Sequence, residues 1–177
     1  RKEYYIDAEK TIDLLYNTVS LALWVPFNES WGQFDALKVT DWVRTLDNTR
    51  PIDHASGWLD QGGGDFKSTH VYFVPIKVPS ESDRKGRCFI LSEFGGYSLG
   101  TEGHVFNSKK SFGYRKFSSQ EEFEQAYHKL FEGSIIPLIE KGLSATVYTQ
   151  ITDVEDEING ILTYDRKVVK LDADKLR

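Results

Sequence analysis

The sequence predicts a mixed α/β chain organised around a parallel β-sheet, on three observations. Segments with apolar residues at helical spacing alternate with short apolar runs, the order expected when strands are joined by helices. The runs, Leu21–Phe27 and Cys88–Ser92 above all, are apolar at successive positions rather than alternating, which marks strands buried on both faces. The third observation is length. A chain of 177 residues can bury roughly 70% of its unfolded surface around one core, so a single unit over 1–177 is expected, but it is short of the roughly 250 residues of a whole eight-stranded barrel. An open doubly wound sheet and part of a barrel both fit.

Residues 7–18 read as a helix, with Asp7 as its cap and Ile12, Leu15, Tyr16 and Val19 forming the apolar stripe. Leu21–Phe27 is the first strand. Residues 34–47 return to helical spacing through Val39, Trp42, Val43 and Leu46, and Asn48 and Pro51 stop that helix. Ile52–Ala55 is a second strand, Gly62–Gly64 a loop, and Val71–Val74 a third strand, after which Pro75 and Pro79 break the pattern. Cys88–Ser92 is the clearest strand. Residues 94–117 form a long polar and aromatic loop, of a length usually found in lids or disordered segments. Ser119 and Glu122 make a capping box. It opens a helix striped by Phe123, Ala126, Tyr127, Leu130 and Phe131, kinked at Pro137 and stopped at Gly142. Ala145–Tyr148 is the last strand, and residues 153–177 are charged and weakly patterned.

Composition removes several classes of function. With 22 Lys+Arg against 27 Asp+Glu, net charge −5, neither nucleic acid nor an anionic membrane is an expected partner. No apolar stretch is long enough to span a bilayer. One cysteine excludes an internal disulfide, and Cys88, in an apolar run, reads as an inert core residue. His54, His70, His104 and His128 show no metal-ligand spacing, and nothing in the sequence calls for a metal or cofactor. Gly62–Gly64 lacks the lysine of a phosphate loop, and Gly95-Gly96 lacks the order of a dinucleotide fingerprint. The chain has no methionine, even at position 1. Arg1 is therefore read as a cut point in a longer protein, and the compartment stays open between cytoplasmic and periplasmic or secreted.

Two glutamates stand out. Glu29 ends the run Leu-Trp-Val-Pro-Phe-Asn-Glu, and Glu93 ends Cys-Phe-Ile-Leu-Ser-Glu. Each sits at the C-terminal end of an apolar strand, the edge where parallel sheets and barrels carry ligands and catalytic groups. One such carboxylate can simply mark where a strand meets water. Two, each followed by glycine and aromatic residues, point to glycosidic bond cleavage, in which one carboxyl gives a proton to the leaving oxygen and the other meets the charge developing at the anomeric carbon. Trp31, Trp58, Tyr72 and Tyr148, near strand ends, are candidates to stack on a sugar ring, whereas Trp24 and Trp42 read as core.

Trp24-Val-Pro-Phe-Asn28-Glu29-Ser-Trp-Gly and Ile90-Leu-Ser-Glu93-Phe-Gly-Gly resemble the two signature segments of glycoside hydrolase family 2, the family of β-galactosidases, β-glucuronidases and β-mannosidases. Arg50-Pro-Ile-Asp-His-Ala-Ser-Gly-Trp58 and the segment Tyr148–Gly160 resemble parts of a bacterial subgroup. The resemblance implies part of a (β/α)8 TIM barrel, about strands four to eight with their helices, and retaining exo-glycosidase chemistry. It implies Glu29 as acid/base, Glu93 as nucleophile, Asn28 as a holder of the sugar 2-hydroxyl, Tyr72 as a hydrogen-bond donor to the nucleophile and His70 as a sugar contact. Trp31, Trp58, Tyr148 and Gln150 are looser transfers. Asn17-Thr18-Val19-Ser20 departs from the family's usual Asn-His-Pro-Ser.

The larger departure is length. By this correspondence the earlier barrel strands and the β-sandwich domains before them are absent. The expected consequence is self-association of the half-barrel, or packing against the missing N-terminal part, to cover open edges. The expected function is a β-galactosidase-like glycosidase with a carbohydrate substrate. β-Glucuronidase or β-mannosidase specificity, a non-catalytic carbohydrate-binding domain and a doubly wound domain for an unrelated ligand are the alternatives.

Overall fold

The computed structural model describes residues 1–73, 75–172 and 174. The chain is mixed α/β, with a small parallel sheet of three strands. It divides into two compact units, Arg1–Thr69 with Pro79–Ile90 and His70–Val78 with Leu91–Arg177.

The first unit opens with α1 (Lys2–Leu15). Asp7, the expected cap, lies inside this helix, where its carbonyl accepts the Thr11 hydroxyl at 2.7 Å. The helix stops before Val19, which is fully exposed, so the apolar stripe ends at Leu15. Tyr4 and Tyr5 start the buried face. Tyr4 stacks on Phe27 at 5.2 Å and meets Phe34 edge-on, and Tyr5 meets Trp42 edge-on at 4.7 Å. Helix α2 (Ala36–Leu46) buries Ala36, Val39, Thr40 and Val43, an i, i+3, i+4, i+7 stripe that shares Val39 and Val43 with the one read from sequence. Trp42 and Leu46, expected with them, are only partly buried at its edge.

The expected strands at 21–27 and 52–55 condense to parallel bridges at Trp24↔Ile52 and Asn28↔Ser56. Trp24 N–H donates to Pro51 and Trp24 carbonyl accepts from Asp53. Further on, Ser56 donates to Phe27 and accepts from Glu29. Between the two bridges stands Pro26, which has no N–H for the next rung, and the hydrogen-bond phase changes across it. Asp47 locks the far end. Its buried carboxylate accepts from Trp24 Nε1 (2.9 Å), Thr49 N and Oγ1 (2.8 and 2.6 Å) and Arg50 Nη1 (2.7 Å). Burial alone would raise its pKa. The hydrogen bonds from Thr49, Trp24 and Arg50 overcome that and hold the carboxyl well below the usual carboxylate range.

Strand β1 (Phe66–Val71) begins and ends earlier than the expected 71–74, of which Val74 lies outside the described residues. The short α3 (Glu81–Arg84), capped by Ser80, leads to β2 (Cys88–Gly95). The sheet order is β1, β2 and then β5 (Leu143–Thr149). Central β2 buries Phe89, Ile90, Leu91 and Phe94 almost completely, as a strand covered on both faces should. Cys88, its first residue, is exposed and not in the core as expected, because burial starts one residue later.

In the second unit, residues 94–117 are more ordered than the loop expected there. Strands β3 (Tyr97–Ser98) and β4 (Arg115–Lys116) pair in parallel within them. The capping box forms as read: Glu122 N donates to Ser119 Oγ at 3.2 Å and opens α4 (Gln120–Leu130). Phe123, Tyr127 and Leu130 of this helix pack with Tyr97, Leu99 and Leu171. A π-helical turn, Phe131–Ile135, and α5 (Ile136–Ile139) follow, with Pro137 at the start of α5, where its missing N–H costs little. Beyond β5, the weakly patterned tail carries a buried ion pair. Lys170 Nζ lies 2.7 and 2.8 Å from the Asp153 carboxylate oxygens and 3.0 Å from the Ile158 carbonyl.

Candidate functional site

In the second unit the sheet presents Glu93 near the end of β2, half-buried between the fully buried Leu91 and Phe94. His70 in β1 and Tyr72 just past its end are two apart, so their side chains fall on one face. Both reach the same atom. Tyr72 Oη donates to Glu93 Oε2 at 2.6 Å, and His70 Nδ1 lies 3.3 Å from that oxygen, with the imidazole fully buried. Burial, and then the bond to Glu93, push the Tyr72 phenol well above the ordinary tyrosine range. Tyr72 therefore stays protonated at neutral pH and acts as a donor, fixing the carboxylate and facing its negative charge.

The diglycine after Phe94 is what lets the aromatic residues close in. Gly95 (φ +89°) and Gly96 (φ +63°) both have left-handed backbone. A Cβ on Gly95 would stand 2.3 Å from Tyr148 Cε2, and one on Gly96 would stand 2.3 Å from Tyr114 Cδ2 and 2.9 Å from Tyr72 Cδ1. Glycine is thus required twice over, by conformation and by space. Tyr148 meets Phe94 edge-on at 5.5 Å and Tyr127 at 5.1 Å, and burial raises its phenol pKa. Gln150 is engaged internally: Nε2 donates to Asn159 Oδ1 at 2.9 Å, and its backbone N–H and carbonyl bond Asn159 and Ile161.

In the first unit Asn28 and Glu29 lie where the parallel ladder ends. Glu29 N–H makes the last rung to Ser56 at 2.9 Å. Glu29 and Ser30 then take φ of +49° and +63°, left-handed conformations that cost roughly 1–2 kcal/mol each for residues with a Cβ. Such outliers concentrate at functional positions. Turn bonds from Trp31 N to Asn28 O and from Gln33 N to Ser30 O, both 3.1 Å, hold the segment. Gln33 Nε2 ties it to Leu59 O at 3.0 Å. Trp31 is 80% exposed and Trp58 is 49% exposed. Trp24 is buried and Trp42 packs on the core, as the sequence predicts.

The structure thus brings together His70, Tyr72 and Glu93, with Tyr148 packed on the adjoining glycine, and sets Asn28 and Glu29 at a strained turn flanked by exposed tryptophans. Reading the sequence missed Tyr114, whose ring lies 3.7 Å from that of Tyr72 and within 2° of parallel. In the sequence only the diglycine hints at a close approach here, and nothing in it says which ring makes that approach. A carboxylate held this way can act as a nucleophile or a base. No family model matches the chain, and no curated protein matches it. No helix of the described residues is long and apolar enough to cross a membrane.

Proposed function

We propose that the chain carries the reacting groups of a retaining β-glycosidase, β-galactosidase-like in specificity. The supporting observation is the Glu93 carboxylate at the end of a parallel strand, held at 2.6 Å by the Tyr72 hydroxyl beside buried His70. In this reading a Glu93 carboxylate oxygen attacks the anomeric carbon and forms a glycosyl ester. The bond to the leaving oxygen breaks as Glu29 gives that oxygen its proton. Water then attacks the same carbon, Glu29 takes the water's proton, and the ester bond to Glu93 breaks to give the sugar with retained configuration. Asn28 would hold the sugar 2-hydroxyl, and exposed Trp31 and Trp58 would stack on sugar rings. The scheme requires the two carboxyl groups to work about 5–5.5 Å apart.

The test is turnover of a panel of aryl β-galactosides, β-glucuronides and β-mannosides. Glu93→Gln should abolish it. Glu29→Gln should slow it by roughly 10²–10⁴-fold, with smaller loss for aglycones that leave without a proton. Equal, modest losses at both positions would end the assignment. A second reading, a non-catalytic carbohydrate-binding surface, is favoured by the 80% exposure of Trp31. Glycan binding without turnover, lost in Trp31→Ala and kept in Glu93→Gln, would select it.

A further inference from the structure

We propose that Tyr114 is a positioning residue: by stacking on Tyr72 it holds the Tyr72 hydroxyl on Glu93. The kinetic arm of this inference rests on the reading of Glu93 as the reacting carboxylate, but the structural arm does not.

Tyr72 lies one residue past the end of β1, so its ring depends on packing, beside its own bond to Glu93, to keep its place. The packing partner is Tyr114, at 3.7 Å between ring centroids and 2° between planes. Aromatic pairs left to themselves prefer offset or edge-on geometries with centroids roughly 4.5–7 Å apart. A near-parallel stack this close is therefore imposed by its surroundings. The frame that imposes it is visible. Tyr114 N–H donates to Gly96 O at 3.1 Å, Phe117 N–H donates to Ser98 O at 2.9 Å, and the β3–β4 pairing sets Arg115 opposite Tyr97. On the other side, Phe112 is bonded through its N–H to Asp156 O at 2.7 Å and through its carbonyl to Ile158 N at 3.0 Å. Phe112 and Phe73 then brace the Tyr114 ring edge-on at 5.3 and 5.5 Å. The bare Cα of Gly96 leaves the slot that both tyrosines enter. Residues 99–113 thus form an excursion anchored at both ends, and its outcome is a flat ring delivered against Tyr72.

The test is a double-mutant cycle with a conservative control. Tyr72→Phe should lower kcat roughly 10- to 100-fold, the range for losing a hydrogen bond to a charged group, with KM little changed. Tyr114→Ala should lose a large part of the same factor and Tyr114→Phe should stay near the parent. In the Tyr72→Phe background, Tyr114→Ala should cost less than about twofold, because its route to Glu93 is already gone. Equal fold losses in both backgrounds would overturn the proposal, since a residue acting only through stability gives that result.

The structural arm needs no turnover. The hydroxyl proton of the Tyr72–Glu93 bond should appear as a downfield NMR resonance that is missing in Tyr72→Phe, present in Tyr114→Phe and lost in Tyr114→Ala. Tyr114→Leu replaces the alanine variant if that variant does not fold. Persistence of the resonance without a flat ring at 114 overturns the proposal. A parent protein that turns over no glycoside overturns the functional reading alone and leaves this arm to decide.

Discussion

Replacing Gly96 by alanine separates two costs that the structure predicts to add. The first is conformational. Residue 96 has φ +63°, where an added Cβ costs roughly 1–2 kcal/mol. The second is steric. The new methyl would lie 2.3 Å from Tyr114 Cδ2 and 2.9 Å from Tyr72 Cδ1, inside the roughly 3.5–4.0 Å of ordinary carbon contact. Neither ring has an easy retreat, because each lies flat against the other and Tyr114 is tied by its backbone to Gly96 itself. Forced overpacking of this kind costs about 1–3 kcal/mol, for a total of about 2–5 kcal/mol. Gly103 is the control. Its φ is +76° and a Cβ there meets nothing within 4 Å, so Gly103→Ala should lose only the conformational part, about 1–2 kcal/mol. Urea unfolding followed by near-ultraviolet circular dichroism measures both losses with a shared slope. Equal losses at 96 and 103 would mean that the tyrosine slot is not rigid, and the packing account of the diglycine would fail.

Two further outcomes are expected. Lys170→Met leaves the Asp153 carboxylate, 1% exposed, without its cation, and should destabilise the fold by about 3–5 kcal/mol; a loss under about 1 kcal/mol in urea unfolding would mean that water already reaches the pair. The depressed pKa of Asp47 means that it contributes stability above the ordinary carboxylate value, lost as pH falls through that value toward the folded one. Asp47→Asn should therefore lower stability at pH 7 and flatten its decline below about pH 4, and an unchanged acid limb in pH-dependent unfolding would refute the assignment.

Helices α2 and α4 were legible because their apolar faces follow local periodicity, whereas α1 begins ahead of its expected span and α3 lies in a polar run with no apolar stripe to mark it. The stripe of α2 and the Ser119–Glu122 cap of α4 are each complete within one short window of sequence. The strand at 21–27 was legible as an apolar run but not as two separate bridges, since the break depends on where Pro26 falls in the phase of a ladder whose partner lies 28 residues on. Cys88 shows the limit of composition. It opens an apolar run yet is exposed, and only the register of β2 decides which of four successive residues is left outside. Tyr114 and Lys170 were illegible for a shared reason. Each owes its place to a single distant partner, Tyr72 or Asp153, and no spacing within the loop or the tail encodes that.

The same sequence pattern, an acidic residue closing an apolar run, has been built in two physically different ways. Glu93 is still inside β2, where strand hydrogen bonds fix its backbone and Tyr72 fixes its carboxylate. Glu29 is the first residue past its ladder, turned left-handed by a strained segment that the Gln33 side chain ties to Leu59. A nucleophile must meet the anomeric carbon in line and at roughly 3–3.5 Å, which suits a carboxylate on a regular strand with a donor at 2.6 Å. An acid/base must serve first the leaving oxygen and then the incoming water, and a carboxylate on a turn beyond the sheet has less of its position fixed by strand hydrogen bonds. Under the proposed reading, this backbone contrast fits Glu93 as the nucleophile and Glu29 as the acid/base.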